Sequence, residues 1–222
     1  MKKKVFISRQ PSECGELIDA LTANEFDVHA ASLITTEAIH FDSTIPLTDW
    51  IFFSSSNAVR HFFHGKPQLS EQRMAAIGKG TAQTLAAFHR VDFIGDAMDI
   101  EDSAYRFADM IQKQTVLFPV AADSLRHVQA AFDPQQIIDL PVYRTIETPC
   151  SVDICDVYVF SSPSNVRSFF NHHNAHASTM HCVAFGEATA QELQQKGVES
   201  IEIPQALDTP ALLHTIIRLA HG

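Results

Sequence analysis

Two stretches of this 222-residue chain set hydroxyl groups at the same place in the same pattern. FFSSSNAVRHFF runs from Phe52 to Phe63 and VFSSPSNVRSFF from Val159 to Phe170; each is an apolar run that stops at two serines and continues with helical spacing. Ser54 and Ser55, and again Ser161 and Ser162, therefore stand where a strand gives way to a helix. A helix start leaves backbone N–H groups unpaired, and a serine there adds a hydroxyl beside them. Such a turn can bind anionic or carbonyl oxygens through uncharged donors. A second pair repeats too: AAIGKGTAQTL and VAFGEATAQEL place Gly78 and Thr81 opposite Gly186 and Thr189. Taken singly, each serine reads as a plain helix cap. Duplication of the whole element, with glycine at both Gly78 and Gly186, points instead to strand ends that line a cleft between two domains.

The elements that must carry these turns are βα units. Short β-branched and aromatic runs (KVFIS, DWIFF, RMAAI, TVLFPV, CDVYVFS, HCVAF, SIEIP) alternate with helical-period segments along the chain. Apolar runs separated by helices imply parallel sheets buried on both faces. The repeat has a register: Phe53/Phe160, Ser54/Ser161, Val59/Val166, Arg60/Arg167 and Phe63/Phe170 each lie 107 positions apart. Gly78/Gly186, Thr81/Thr189 and Leu85/Leu193 lie 108 apart, and Val5/Val116 lie 111 apart. The chain is thus two related halves of about 110 residues, beyond the roughly 20–50-residue periods of solenoids, and two sibling α/β domains are expected.

Composition narrows the function. With 26 acidic against 16 basic residues the formal charge is -10, and KKK at the start is the only basic run, so no nucleic-acid partner is expected. No apolar run approaches the ~20 residues that span a bilayer. The apolar part of MKKKVFISRQ is too short for a signal-peptide core, so a cytoplasmic location is expected. Cys14, Cys150, Cys155 and Cys182 are far apart and read as reduced thiols. IGKGTA lacks the first glycine of a phosphate-binding loop, since position 73 is Arg. His172, His173 and His176 sit in a polar loop with no carboxylate or cysteine beside them, so no metal is expected. Nucleophile elbows and dinucleotide fingerprints are absent, and no cofactor is expected.

The motifs have a family resemblance. FFSSSNAV with VFSSPSNV, AAIGKGTAQTL with VAFGEATAQEL, PVYRT at Pro141–Thr145 and DTPALL near the C-terminus together resemble uroporphyrinogen-III synthase over almost the whole chain. Each motif is weak alone; their order and spacing make the match specific. Two departures stand out. Val120-Ala121-Ala122-Asp123-Ser124 replaces a loop where the family often carries Arg-Gly or Gly-Asn and a later Arg, a place Arg126 would take. In the first-half counterpart of PVYRT, ASLITTE, Ser32 stands where proline is usual.

The resemblance implies two flavodoxin-like domains, each a five-stranded parallel sheet flanked by helices, joined by a two-stranded linker. One would be discontinuous, residues 1–35 plus 149–222, and the other would span 39–144, with crossovers near 36–38 and 145–148. It implies a monomeric lyase that closes linear hydroxymethylbilane with inversion of ring D and loss of water, opening and closing around its substrate. A non-catalytic tetrapyrrole-binding or regulatory protein of the same fold is the alternative. The substrate carries eight carboxylates, which a chain of charge -10 must hold by local donors. That role falls to Ser54, Ser55, Gly78, Thr81, Ser161, Ser162, Gly186 and Thr189, with Ser103 and Thr209 at later helix starts. Tyr143 is the candidate donor to the departing hydroxyl, because a phenol stays protonated at neutral pH; the competing reading makes it a packed aromatic of the linker.

Overall fold

A computed structural model describes residues 2–221. The strands are β1 (Lys4–Ile7), β2 (Asp27–Ala30), β3 (Ile34–Ala38), β4 (Trp50–Phe53), β5 (Arg73–Ala76), β6 (Phe93–Ile94), β7 (Val116–Ala121), β8 (Ile137–Glu147), β9 (Val157–Phe160), β10 (His181–Ala184) and β11 (Ser200–Glu202). The helices are α1 (Gly15–Ala23), α2 (Ser56–His64), α3 (Lys79–Ala86), α4 (Ile100–Ile111), α5 (Pro163–His172), α6 (Glu187–Gln195) and α7 (Thr209–His221). The chain divides into two compact units, Met1–Thr35 with Ile146–Gly222, and Thr36–Thr145.

In the first unit the sheet order is β11-β10-β9-β1-β2, with every pairing parallel. The second unit has β8-β7-β4-β5-β6, again parallel, and a sixth strand, β3, at the β8 edge. The sixth strand departs from the expected five, because the eleven-residue β8 runs past its neighbour β7 and offers an edge on which β3 pairs. Central strands are continuous apolar runs for the reason given by their burial: all four residues of β4 and of β9 are buried, as sheets covered by helices on both faces require. Packed against the second sheet, Ala58, Val59 and Phe62 of α2 form one helix stripe with Phe53, Met74 and Leu117. Val166 and Phe169 of α5 do the same against Phe6, Phe160 and Cys182.

The internal repeat explains the topology. Leaving β3 aside, the five parallel strands of each sheet divide two to three between the halves of the sequence: β1 and β2 join β9–β11, while β7 and β8 join β4–β6. Even the register is shared, since Val5 faces Val157 in the first sheet and Val116 faces Trp50 in the second, repeat-equivalent pairs on both sides. The strands that lead between units are paired alike. Thr148 N–H donates to the Leu33 carbonyl at 2.8 Å, and Ile39 N–H to the Val142 carbonyl at 2.9 Å, both partners shifted by the same 109 positions.

Candidate active site

At the β4–α2 turn the strand ends in the buried Phe53, Ser54 is exposed, and Ser55 is the N-cap of α2. Ser55 Oγ accepts from Ala58 N–H at 3.1 Å, which satisfies one orphan donor of the first turn. The same oxygen lies 3.3 Å from the Tyr143 hydroxyl. Tyr143 reaches it through an irregularity in β8. Pairing with β7 runs Pro119 to Leu140 and Val120 to Pro141, then Ala121 to Tyr143, so Val142 is an extra residue in the ladder. Bulges of this kind re-aim the following side chain, and Pro141, which has no N–H to give, is suited to the break. Ala122 N–H donates to the Tyr143 carbonyl at 2.9 Å and fixes the strand just beyond it.

Tyr143 is 9% exposed. Burial is the main cause that raises its hydroxyl above the usual 10.0; the bond to Ser55 lowers it and the charge of Asp123 raises it further. The phenol thus keeps its proton throughout the neutral range. His61, in the second turn of α2, stacks on the Tyr143 ring with centroids 5.2 Å apart and planes 15° from parallel. Its Nε2 lies 2.8 Å from Thr36 Oγ1. Burial, then the charges of His64 and Arg60, lowers the His61 imidazole below 6.5, so it is neutral at pH 7.

Repeat-equivalent positions in the first unit are built differently. Ser162 caps α5, accepting from Asn165 N–H at 3.3 Å and from Asn165 Nδ2 at 3.1 Å. Asn165 is 3% exposed, and its Oδ1 accepts from Leu33 N–H at 2.9 Å. Ser161 donates from Oγ to the Ser8 carbonyl at 2.8 Å and accepts from Asn165 Nδ2 at 3.4 Å. Ser168, the counterpart of His61, is fully buried and donates to the Leu33 carbonyl at 2.8 Å. Side chains that gather around a phenol in one unit are replaced in the other by an amide and hydroxyls spent on backbone.

The remaining candidates divide in the same way. Gly78 caps α3 and is buried; a Cβ there would meet Ala97 Cβ at 2.7 Å and Ala97 N at 2.9 Å, so the β6–α4 loop covers that turn. Gly186 caps α6, and a Cβ there would have nothing within 4 Å. Thr81 and Thr189, 8% and 4% exposed, each face the core in the first turn of their helices. Ser103 is fully buried; its hydroxyl accepts from Asp96 N–H at 2.7 Å and donates to the Asp96 carbonyl at 3.2 Å, so it ties the β6–α4 loop and has no face for a ligand. Thr209 opens α7, with its hydroxyl 3.5 Å from a Glu16 carboxylate oxygen. Arg126, the residue expected to replace a family arginine, is paired with Asp139 at 2.8 Å. Among the described residues no group of three or more His, Cys, Asp or Glu side chains is placed to hold a metal ion, and no helix is long and apolar enough to cross a membrane.

His61 escaped the sequence reading. The one signal was its place: it is where the two copies of the serine element differ, histidine against Ser168.

Comparison with known proteins gives the site its context. Residues 15–214 match a family described as uroporphyrinogen-III synthase HemD. No curated protein matches the chain. Among solved structures, uroporphyrinogen-III synthetase from Helicobacter pylori is similar at 15% identity and a TM-score of 0.68, covering 99% of this chain and 100% of that one. A mutant uroporphyrinogen III synthase from Thermus thermophilus is similar at 13% identity and 0.63, covering 99% of each. At these identities the two structures speak for the fold.

Proposed function

From the premise that the chain belongs to the uroporphyrinogen-III synthase family, and so is a cyclising lyase of tetrapyrrole biosynthesis, we propose that Tyr143 assists departure of the hydroxyl from hydroxymethylbilane. The observation that carries this reading is the buried Tyr143 hydroxyl set against Ser55 at the N-terminus of α2. Ser55 Oγ already accepts from Ala58 N–H. When its own O–H donates to the phenol oxygen, the phenol O–H is left free to point at a leaving hydroxyl. Because burial raises the phenol above its usual value, it is a lasting hydrogen-bond donor and a poor full acid, which suits a substrate reactive enough to ionise with modest help. The carbon left behind is then attacked by the substituted carbon of ring D. Holding that ring is a matter of orientation, the larger share of the work.

Carboxylates of the substrate are to be met at the helix starts that carry Ser54, Ser55, Gly78 and Thr81 in the second unit and Ser161, Ser162, Gly186, Thr189 and Thr209 in the first, through backbone N–H groups where the side chain is engaged or faces the core, as at Ser161, Thr81 and Thr189. Uncharged donors at helix N-termini hold anions without a favourable overall field. The protein is further proposed to work as a cytoplasmic monomer, with the two units, crossing near residues 36–38 and 145–148, as its functional domains.

The test is turnover of hydroxymethylbilane with the III and I isomers separated by chromatography. One lost hydrogen bond of about 0.5–1.5 kcal/mol predicts a fall of roughly three- to tenfold for Tyr143→Phe, with a larger share of the I isomer from unassisted closure. Wild-type rate and isomer ratio in Tyr143→Phe would remove the phenol from the mechanism.

A further inference from the structure

Tyr143 is held at its tip by Ser55 and along its ring by His61, and only the first contact has a counterpart of any kind in the other unit. We propose that His61 is a positioning residue: its imidazole, anchored at Nε2 to Thr36, clamps the Tyr143 ring so that the phenol hydroxyl stays at Ser55 and aimed at the substrate. The inference rests on the role proposed for Tyr143 and adds to it the device that sets the phenol's direction.

Three observations carry it. The stack is nearly parallel, 15° between planes at 5.2 Å, so the imidazole blocks the swing of the ring about Cα–Cβ, which would carry the hydroxyl off Ser55, and its turn about Cβ–Cγ, which sets the plane of the O–H. An imidazole on a helix surface would swing freely, but the 2.8 Å contact to Thr36 Oγ1 fixes it from β3, a different element, and Thr36 is itself β-branched and stiff. In the sibling unit the position of His61 holds Ser168, fully buried and bonded to backbone, so the scaffold does not need an aromatic ring there. The charged and titratable groups that reach the pair are Arg60 and His64 on α2 and Asp123 beyond β7. His61 makes no contact with the phenol oxygen that would let it shuttle a proton; its action is through the ring.

Turnover and 13C-tyrosine spectra test this together. The chain has three tyrosines, so Tyr143→Phe assigns the Tyr143 resonance directly. His61→Ala is expected to lower kcat by roughly three- to tenfold with little change in KM, as loss of an oriented donor does. It should also move the Tyr143 resonance. Combined with Tyr143→Phe it should cost nothing more, since the two act as a unit. His61→Phe keeps the stack and should recover most of the rate; Thr36→Val, which removes only the anchor, should fall between. Thermal unfolding of each variant excludes loss of fold. Unchanged kcat with an unmoved Tyr143 resonance in His61→Ala overturns the clamp, as does a penalty that multiplies in full on the Tyr143→Phe background. Should Tyr143→Phe turn over like wild type, the hydrogen-bond-donor role fails, and the flip rate of the Tyr143 ring alone decides the clamp: faster averaging of its ring-carbon resonances in His61→Ala keeps it, an unchanged rate removes it.

Discussion

Gly78 and Gly186 are the same residue of the same motif, yet alanine at the two sites should act in opposite directions. Both backbones are extended, with φ of -173° and 172°, so neither position needs glycine for its conformation. The difference lies in space. A Cβ on Gly78 falls 2.7 Å from Ala97 Cβ and 2.9 Å from Ala97 N, and backbone of the β6–α4 loop must move to admit it. That loop is not free to move, because Gly95 N–H donates to the Ala76 carbonyl and Asp96 N–H to Ser103 Oγ. Overpacking against fixed backbone costs about 1–3 kcal/mol. On Gly186 the methyl meets nothing within 4 Å, and alanine there reduces the freedom of the unfolded chain, a gain of about 0.4–1 kcal/mol. Urea unfolding measures both. Trp50 is the single tryptophan, 3% exposed in the second unit, so its emission follows the unit that contains Gly78. With a slope of about 1–3 kcal/mol per molar urea, Gly78→Ala should lower the Trp50 midpoint by roughly 1 M. Gly186→Ala should leave the far-UV midpoint level or raised. Equal losses in the two variants would refute the reasoning, because a shared requirement of the turn, and not the neighbour of one of them, would then explain the glycines.

Asn165→Ala removes the acceptor of Leu33 N–H and the donor to Ser162 in a buried place, so it should cost about 2–4 kcal/mol by far-UV unfolding. Ser54→Ala, at an exposed hydroxyl, should stay within about 0.5 kcal/mol of wild type. Acid stability has two contributors of known sign. The Lys4 N–H bond, with help from Lys3, holds the Asp156 carboxyl below 3.8, so its contribution is present above 3.8 and is lost as pH falls through the lower native value. His61 resists protonation when folded, so the unfolded chain takes up the extra proton below 6.5 and stability falls with pH from there to the native value. Asp156→Asn and His61→Gln should each flatten the matching part of a stability-against-pH curve.

Much of the fold was legible because strand burial and repetition both leave marks in sequence. A four-residue run such as WIFF or VYVF is buried on both faces and must be apolar throughout, and the 107-, 108- and 111-residue offsets recur as shared register in the two sheets. The sixth strand was legible only through the resemblance, as the ASLITTE counterpart of PVYRT in a two-stranded linker, since β3 is partly exposed and has no apolar run to announce it. Of the candidate residues, Ser55 and Ser162 do cap helices, and Tyr143 does lie beside one of them. What spacing could not tell was which hydroxyls are already engaged. Ser103 sits at a helix start like the others, but its bonds are closed on Asp96, a partner supplied by the folding of a loop seven residues away. Likewise Tyr143 depends on a one-residue irregularity in β8, which pattern alone places only within a residue or so, enough to turn a side chain to the opposite face.

Duplication accounts for the scaffold, so the chemistry is to be sought where the copies disagree. Both units offer a strand, a capping serine and a free helix start. In the first unit Asn165 and Ser168 fasten that turn to Leu33, which makes it rigid and leaves fewer donors for a ligand. In the second, alanine stands in place of the asparagine and histidine in place of the serine, and the room and the donor so released go to Tyr143. Alanine at position 58 is as much a part of the site as the tyrosine: an asparagine there would compete for Ser55 Oγ as Asn165 does for Ser162 Oγ. Ala58→Asn should therefore reproduce the first unit's lock in the second, drawing Ser55 away from the phenol. Because Ala58 is itself 1% exposed, the asparagine should also cost about 1–3 kcal/mol in Trp50 unfolding, so turnover is read well below the unfolding temperature. There it should fall toward that of Tyr143→Phe, and wild-type turnover would show that the asparagine does not reach the cap.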